Sequence, residues 1–330
     1  MMEYRRLGES ELEVSTIGFG CWGISGGSMW GDQDEAESIA ALQAGVDNGI
    51  NFYDTAEAYG GGYSEEIIGK ALSDRRDRIV LATKVSPAHL DPEQLISSCE
   101  ASLRRLRTDH VDLYQIHWPD PPGDPDAVTE TLQSLRRDGK IRYAGVSNFG
   151  PVDLDRYPAG LFVSNQLAYS VAFRAIEHHL IGASVSRRMS IIAYSVLLHG
   201  ILTGKYRSPE DVPEGRGRTR HFSATRDGVR HGEDGHEELL FALVDEMEQV
   251  ATEAGLTIRE IAMLWVLGQD GVATILAGSR TPAQAADNAR VGEQSLDPAL
   301  VERLTRASDD LKQAMGPNPD MWQSKSRVSW

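Results

Sequence analysis

Cysteine is nearly absent from this chain. Two thiols in 330 residues, Cys21 and Cys99, cannot build a disulfide framework or a zinc set, and so low a count suits a reducing cytoplasm. Positive charge is also short. Against 49 Asp and Glu stand 33 Lys and Arg, a formal charge of −16, which opposes a nucleic-acid partner or an anionic membrane while leaving room for a local basic patch. No apolar run approaches the length of a membrane span, and no charged-then-apolar leader opens the sequence. No low-complexity linker divides it, so residues 1–330 read as one domain. A hydrophobic content of 41% is enough to give that domain a sizeable core.

What is present is a repeat of short apolar runs, each followed by a helical pattern. The opening "MMEYRRLGESELEV" reads as two short strands around a Gly-Glu-Ser turn. Strand-like runs rich in Val, Ile, Leu and Tyr then recur at 15–20, 50–54, 79–84, 111–117, 141–147, 161–166, 190–194 and 272–278. Helix starts are marked by Asp91-Pro92, Asp124-Pro125, Thr281-Pro282 and Asp297-Pro298, each an N-cap residue before a proline at the first helical position. Ser64, followed by Glu65 and Glu66, is expected to cap another helix. Eight strand–helix units predict an α/β fold, a (β/α)8 barrel behind an N-terminal β-hairpin. A doubly wound sheet is the competitor, but no Rossmann glycine pattern follows a strand. Two segments break the regularity: a polar loop over 206–238 and a tail over 315–330, expected to act as long cofactor or substrate loops.

In such a barrel, active groups sit at the C-terminal ends of strands. Asp54, Lys84 and His117 end three successive expected strands, and Tyr59 lies on the loop just after Asp54. Singly, each is ordinary: a turn former, a solvated cation, a packed ring, a structural histidine. Together they support proton transfer to a carbonyl oxygen during reduction. Tyr59 is the acid. Lys84 is expected to lower its pKa from about 10. Asp54 anchors Lys84, and His117 orients the carbonyl. None of these supplies electrons, so a hydride donor is implied. Of the nine histidines only His117 ends a strand, which argues against a metal site and a metal-dependent hydrolase.

These residues carry a resemblance. "GINFYDTAEAYG", "ATK", "DLYQIHWPDP", "GKIRYAGVSNF", "GILTGKY" and "LAGSRTPAQAADN" resemble the aldo-keto reductases from the hairpin to the last helix. The first is the most specific, with an Asp, a Tyr five residues later, and then Gly. "GGSMWG", "HWPDP" and "GILTGKY" are more similar to the bacterial general-stress and inositol-utilisation branch, related to potassium-channel β-subunits, than to mammalian aldose reductases. The resemblance implies a catalytic tetrad of Asp54, Tyr59, Lys84 and His117, and an extended NADP(H) across the barrel mouth, with NAD(H) the lesser alternative. It places the nicotinamide carboxamide against Ser147, Asn148 and Gln166 and the ring on Tyr194. The pyrophosphate falls along Ser195, Leu197, Gly200, Gly204 and Lys205. The adenosine end falls at Gly278, Ser279, Arg280, Gln284 and Asn288, with a loop arginine, Arg218 or Arg220, in support. A free helix N-terminus beside Arg280 suits an anion there. Aldose-reductase-type members carry a lysine before the serine and an arginine early in the helix; here stand Gly278 and Gln284.

The substrate pocket is expected to be apolar and lined by Trp22, Trp30 and Trp118, with Trp322 and His89 as weaker candidates. The leading expectation is an NADPH-dependent carbonyl reductase acting on small aldehydes or ketones. A sugar or polyol oxidoreductase with a retained nicotinamide and a cofactor-binding regulatory subunit are the alternatives. The sequence names neither the substrate nor the oligomeric state.

Overall fold

The structure is a computed structural model and describes residues 1–27, 29–120 and 123–330. Ser28 of "GGSMWG" and Pro121 of "HWPDP" therefore lie outside the described residues.

A hairpin opens the chain. Strands β1 (Tyr4–Arg6) and β2 (Glu13–Ser15) pair antiparallel, Tyr4 opposite Ser15. Eight parallel strands follow: β3 (Ile17–Gly20), β4 (Phe52–Asp54), β5 (Val80–Val85), β6 (Val111–Ile116), β7 (Ile141–Ser147), β8 (Phe162–Ala168), β9 (Ser190–Tyr194) and β10 (Val272–Ala277). They close into a barrel, β10 pairing with β3. All eight expected strands exist, so the closed barrel is chosen over the open sheet. Boundaries differ by a residue or two: His117 and Gly278 stand just beyond their strands.

Helices cover the outside: α1 (Glu35–Asp47), α2 (Tyr63–Leu72), α3 (Pro92–Leu106), α4 (Pro125–Arg137), α5 (Pro151–Leu154), α6 (Leu180–Ser186), α7 (Glu237–Ala254), α8 (Ile258–Leu267), α9 (Pro282–Val291), α10 (Pro298–Ala307) and α11 (Asp309–Met315). The four Asp/Thr-Pro starts behave as read. Asp91, Asp124, Thr281 and Asp297 each accept a backbone N–H of the first turn. Ser64 does not cap α2. The helix begins two residues earlier than a Ser64 cap would give, at Tyr63, with Gly62 in the cap position. The Ser64 hydroxyl instead lies inside, donating to the Cys21 carbonyl at 2.8 Å and accepting from Thr55 at 2.9 Å.

The interior has two layers. Within the barrel, Phe52, Val80, Ala82, Leu113, Val163, Ile192, Ala273 and Leu276 pack with Leu7, Leu12 and Val14 of the hairpin segment. The hairpin thus plugs the N-terminal end, and only the C-terminal end is left for a site. Outside, the helices bury their apolar faces against the strands; on α2, Ile67, Ile68, Ala71 and Leu72 are fully buried.

The 206–238 loop and the tail hold each other. Arg220 is 5% exposed. Its guanidinium donates to Glu233 at 2.7 Å and to the carbonyls of Asn318 and Met315 at 3.1 and 2.8 Å. Its backbone N–H donates to the Met321 carbonyl at 2.9 Å. The end of the tail is fastened to α5, where the Ser329 N–H donates to Asp153 at 2.8 Å.

Among the described residues, no helix is long and apolar enough to cross a membrane, and no cluster of His, Cys, Asp or Glu is arranged to hold a metal ion.

Candidate active site

Strand pairing brings the expected anchor, Asp54, and the expected cation, Lys84, together. In register, Asp54 lies opposite Ala82 and Lys84 opposite Gln115, so β4, β5 and β6 present Asp54, Lys84 and Gln115 at neighbouring levels. Lys84 is fully buried and donates to Asp54 Oδ1 at 2.5 Å and to the Thr55 carbonyl at 2.8 Å. Its third contact is the Tyr59 hydroxyl at 3.4 Å, and its ammonium also lies 5.0 Å from the centre of the Tyr59 ring. The other oxygen of Asp54, Oδ2, accepts from the side-chain amides of Gln115 at 2.9 Å and Gln166 at 2.8 Å.

Backbone geometry puts Tyr59 where it is. Gly60, Gly61 and Gly62 take φ of 61°, 64° and 98°, three successive left-handed residues that only glycine adopts without strain. They turn the chain from the loop into α2 and leave the tyrosine over the strand ends. Trp22 stacks on the Tyr59 ring at 5.9 Å, and the His117 ring meets it edge-on at 5.7 Å.

The electrostatics differ from the sequence reading in one respect. Burial of the Tyr59 phenol raises its pKa, and the Lys84 ammonium opposes this only in part, so the phenol sits above its ordinary value rather than below. Desolvation of the phenolate outweighs the nearby cation. For Lys84 the outcome is reversed. Burial is the largest single influence and works to lower its pKa, but Asp54 and Tyr59 together outweigh it and the ammonium ends above the ordinary lysine value. His117 is pushed down to about 3, first by burial and then by Lys84 and Arg327, so its imidazole is neutral. The set is a protonated phenol, a charged amine and a neutral histidine able to donate one N–H.

A second group of strand ends meets beside the first. The Ser147 hydroxyl donates to the Gln166 carbonyl at 3.0 Å. Asn148, at a left-handed φ of 63°, donates to Ser147 Oγ at 3.0 Å and to the His117 carbonyl at 3.2 Å. It accepts from the Tyr194 hydroxyl at 2.8 Å, which fixes that ring. Ser195, Leu197 and Gly200 follow on a tightly wound segment with left-handed φ at Ser195, Leu198, His199 and Gly200. Gly204 (φ 73°) is spoken for by packing: a Cβ there would fall 2.7 Å from Ile258. Lys205 is exposed, its ammonium over the Tyr206 ring.

At the far end, Asn288 donates to Ser279 Oγ at 3.0 Å and to the Gly278 carbonyl at 3.4 Å, and Gln284 accepts from the Arg280 N–H at 2.8 Å. The Arg280 guanidinium donates to Gln33 and to the carbonyls of Trp30 and Asp32, so it tethers the β3–α1 loop. Arg220 is committed to the loop and tail as above, whereas Arg218 Nε is buried with no partner among the described residues. Arg259, on α8, donates to Asn288 at 2.9 Å. The sequence reading missed this guanidinium beside the group, because nothing local links α8 to α9.

Three of the tryptophans gather around His199. Trp22, Trp30 and Trp322 have ring centres 6.5, 6.3 and 5.0 Å from its ring. Trp118 is covered instead by Arg327, whose guanidinium carbon is 3.5 Å from its ring centre and which is ion-paired with fully buried Asp320. His89 is paired with Glu57 at 2.8 Å. The wall is thus less apolar than expected. His199 is buried, its pKa lowered to about 3 by burial and by Arg216, and its Nδ1 has no partner among the described residues. Arg216 donates to the His199 carbonyl at 2.7 Å and lies 4.8 Å from the Trp30 ring centre.

Comparison with known proteins gives the geometry a context. A family profile described as "Aldo/keto reductase family" matches residues 16–309. The aldo-keto reductase YhdN of Bacillus subtilis is 34% identical over 299 residues, 86% of each chain. The glycerol dehydrogenase AKR11B4 from Gluconobacter oxydans superposes with a TM-score of 0.77 at 31% identity, covering 96% of this chain and 97% of its own. An aldo-keto reductase from Klebsiella pneumoniae, solved in complex with NADPH, gives 0.73 at 27% identity, covering 100% and 99%.

Proposed function

The chain belongs to the aldo/keto reductase family, and from that premise we propose that it reduces the carbonyl group of a small aldehyde or ketone with NADPH, Tyr59 supplying the proton. The observation that carries this reading is the linked set of Asp54, Lys84 and Tyr59, with a neutral His117 ring against the tyrosine.

The residues present fit the cofactor. Buried nitrogens of Trp30, His199 and Arg218 have no partner among the described residues, and Ser147, Asn148 and Tyr194 are already pinned to one another. Ser147, Asn148 and Gln166 would hold the carboxamide and Tyr194 the ring. Ser195, Leu197, Gly200 and Lys205 would lie along the pyrophosphate. Gly278, Ser279, Arg280, Gln284 and Asn288, with Arg218, would take the adenosine end. NADPH, when bound, supplies the hydride.

The chain's own groups handle the proton. The carbonyl oxygen sits where both the Tyr59 hydroxyl and the His117 N–H can reach it. His117 orients it. As negative charge develops on that oxygen, Tyr59 transfers its phenolic proton, and Lys84 stabilises the phenolate left behind. A phenol held above its ordinary pKa is fully protonated near neutrality, as an acid must be before the step. Asp54 keeps Lys84 charged and in place. The tryptophans limit water around the reacting oxygen. Trp22, Trp30 and Trp118 give the substrate its walls.

The test is consumption of NADPH, followed by its absorbance, against a panel of aldehydes, ketones and sugars, with NADH in parallel. Turnover of simple aldehydes with NADPH preferred supports the proposal. Tight NADPH binding without turnover of any carbonyl would overturn it.

A further inference from the structure

Gln115 is an unusual residue for its place. It lies in β6, in the run Val111, Asp112, Leu113, Tyr114, Gln115, Ile116, and its side chain is fully buried. A buried amide in an apolar position costs free energy unless it is hydrogen-bonded. Among the described residues its only short hydrogen bond is the 2.9 Å donation to Asp54 Oδ2. Its oxygen receives a long 3.4 Å contact from Gln166. The stem is boxed in: its register partner on β7 is Gly145, where a Cβ would fall 3.2 Å from Gln115 Cγ, 2.7 Å from Ser164 Oγ and 3.1 Å from Leu113.

Gln166 shares the same oxygen at 2.8 Å, yet it stands two residues before the end of β8, opposite Ser147, in the group proposed to hold the nicotinamide carboxamide. Turning that amide toward a carboxamide would weaken its aligned bond to Oδ2. If Gln166 were the only donor to Oδ2, cofactor binding would leave a buried carboxylate oxygen uncompensated, and Asp54 would shift toward Lys84 as the cofactor arrived. Gln115, buried beneath the strand ends, has no second acceptor for its N–H groups among the described residues.

We propose that Gln115 is a positioning residue: it holds Oδ2 of Asp54 at all times, so that Gln166 can leave that oxygen for the carboxamide without releasing the carboxylate that fixes Lys84. The inference rests on the cofactor and tetrad reading above, and it acts through Asp54 rather than through any contact with substrate.

Two variants test it. Gln115→Leu fills similar volume and cannot donate. Gln115→Glu keeps the shape and donates only when its carboxyl is protonated; once ionised it repels Asp54. NADPH affinity is measured by quenching of protein fluorescence, and kcat and KM for a simple aldehyde are measured with NADPH saturating, all across pH. Losing a hydrogen bond to a charged group predicts that Gln115→Leu weakens NADPH binding about tenfold and lowers kcat about ten- to a hundredfold, with KM for the aldehyde nearly unchanged. Gln115→Glu is expected to approach wild type at the acid end and to lose affinity relative to wild type as pH rises. A role in packing alone predicts instead that Gln115→Leu, which fills similar volume, keeps NADPH affinity and kcat at the wild-type level.

Wild-type affinity and kcat in Gln115→Leu would overturn the inference, as would a Gln115→Glu profile parallel to wild type. Should Gln115→Leu show no cooperative melt, the Gln115→Glu profile decides alone. If the wild type binds NADPH but turns over no carbonyl, the proposed function falls while the affinity series still decides the role of Gln115.

Discussion

Replacing Asp54 by Asn tests the ion pair at the centre of the site. The shape is kept and the charge removed. Lys84 then lies fully buried, its nearest anion gone, with the Thr55 carbonyl, the Tyr59 hydroxyl and an uncharged amide oxygen as its partners among the described residues. Breaking a buried pair by removing one member costs about 3–5 kcal/mol, and because Asn still offers an oxygen dipole the lower end, about 3 kcal/mol, is expected near pH 7. The dependence on pH is the sharper part. In the wild type the folded Lys84 titrates above the ordinary lysine value. The stability it takes from Asp54 is therefore complete below the unfolded lysine's value and is lost only as pH rises through the raised folded one. Between about pH 7 and pH 9 the pair contributes a constant amount. In Asp54→Asn, burial, the largest influence on the amine, keeps only the weaker opposition of Tyr59, and the folded amine is expected to titrate below the unfolded one. The unfolded chain then binds the extra proton, and stability rises with pH by up to about 1.4 kcal/mol per unit. Denaturant unfolding of both proteins at about pH 7 and pH 9 should show the gap narrowing at the higher pH. A loss below about 1 kcal/mol near neutrality, or an equal loss at both pH values, would refute the assignment of Lys84 as a buried cation held by Asp54.

Two further outcomes follow from the same geometry. With His117 pushed down to about 3 it stays neutral throughout the working range, so kcat between about pH 5 and pH 8 should carry no histidine limb; a limb near pH 6.5 that disappears in His117→Asn would contradict this. Arg220→Ala removes the donors to the Asn318 and Met315 carbonyls and leaves Glu233 without its cation, at about 1–3 kcal/mol for each unpaired buried group. Limited proteolysis followed by mass spectrometry should show nicking within 206–236 or 316–330 at least about tenfold faster; unchanged resistance would mean that Arg220 is not the clasp between loop and tail.

Much of this fold was legible because its signals are local. An apolar run of strand length, an Asp-Pro or Thr-Pro helix start and an ionisable residue at a strand end are each read within a few positions. That is why the eight strands, the four helix starts and the neighbouring placement of Asp54, Tyr59, Lys84 and His117 could be read. Ser64 was misread for a related reason. A serine before two glutamates looks like a cap, but three left-handed glycines start the helix two residues early and turn the hydroxyl inward. Tyr59 was misjudged because neighbouring charges can be listed from a sequence whereas the depth of burial cannot. What was missed depends on distant pairings: Arg220 with the tail, Arg259 with Asn288, Trp322 with His199. Gln115 did leave a trace. It stands two residues before His117, hence on the same side of the strand, as a polar residue in a run that is otherwise mostly apolar.

The proton-donor role of Tyr59 is tested most directly by Tyr59→Phe, comparing kcat for a simple aldehyde with NADPH affinity on the same protein. Removal of the hydroxyl leaves the ring stacked on Trp22 and should lower kcat by about a hundred- to ten-thousandfold, with NADPH affinity within a few fold of wild type. A kcat within about threefold of wild type would contradict the assignment of Tyr59 as the acid.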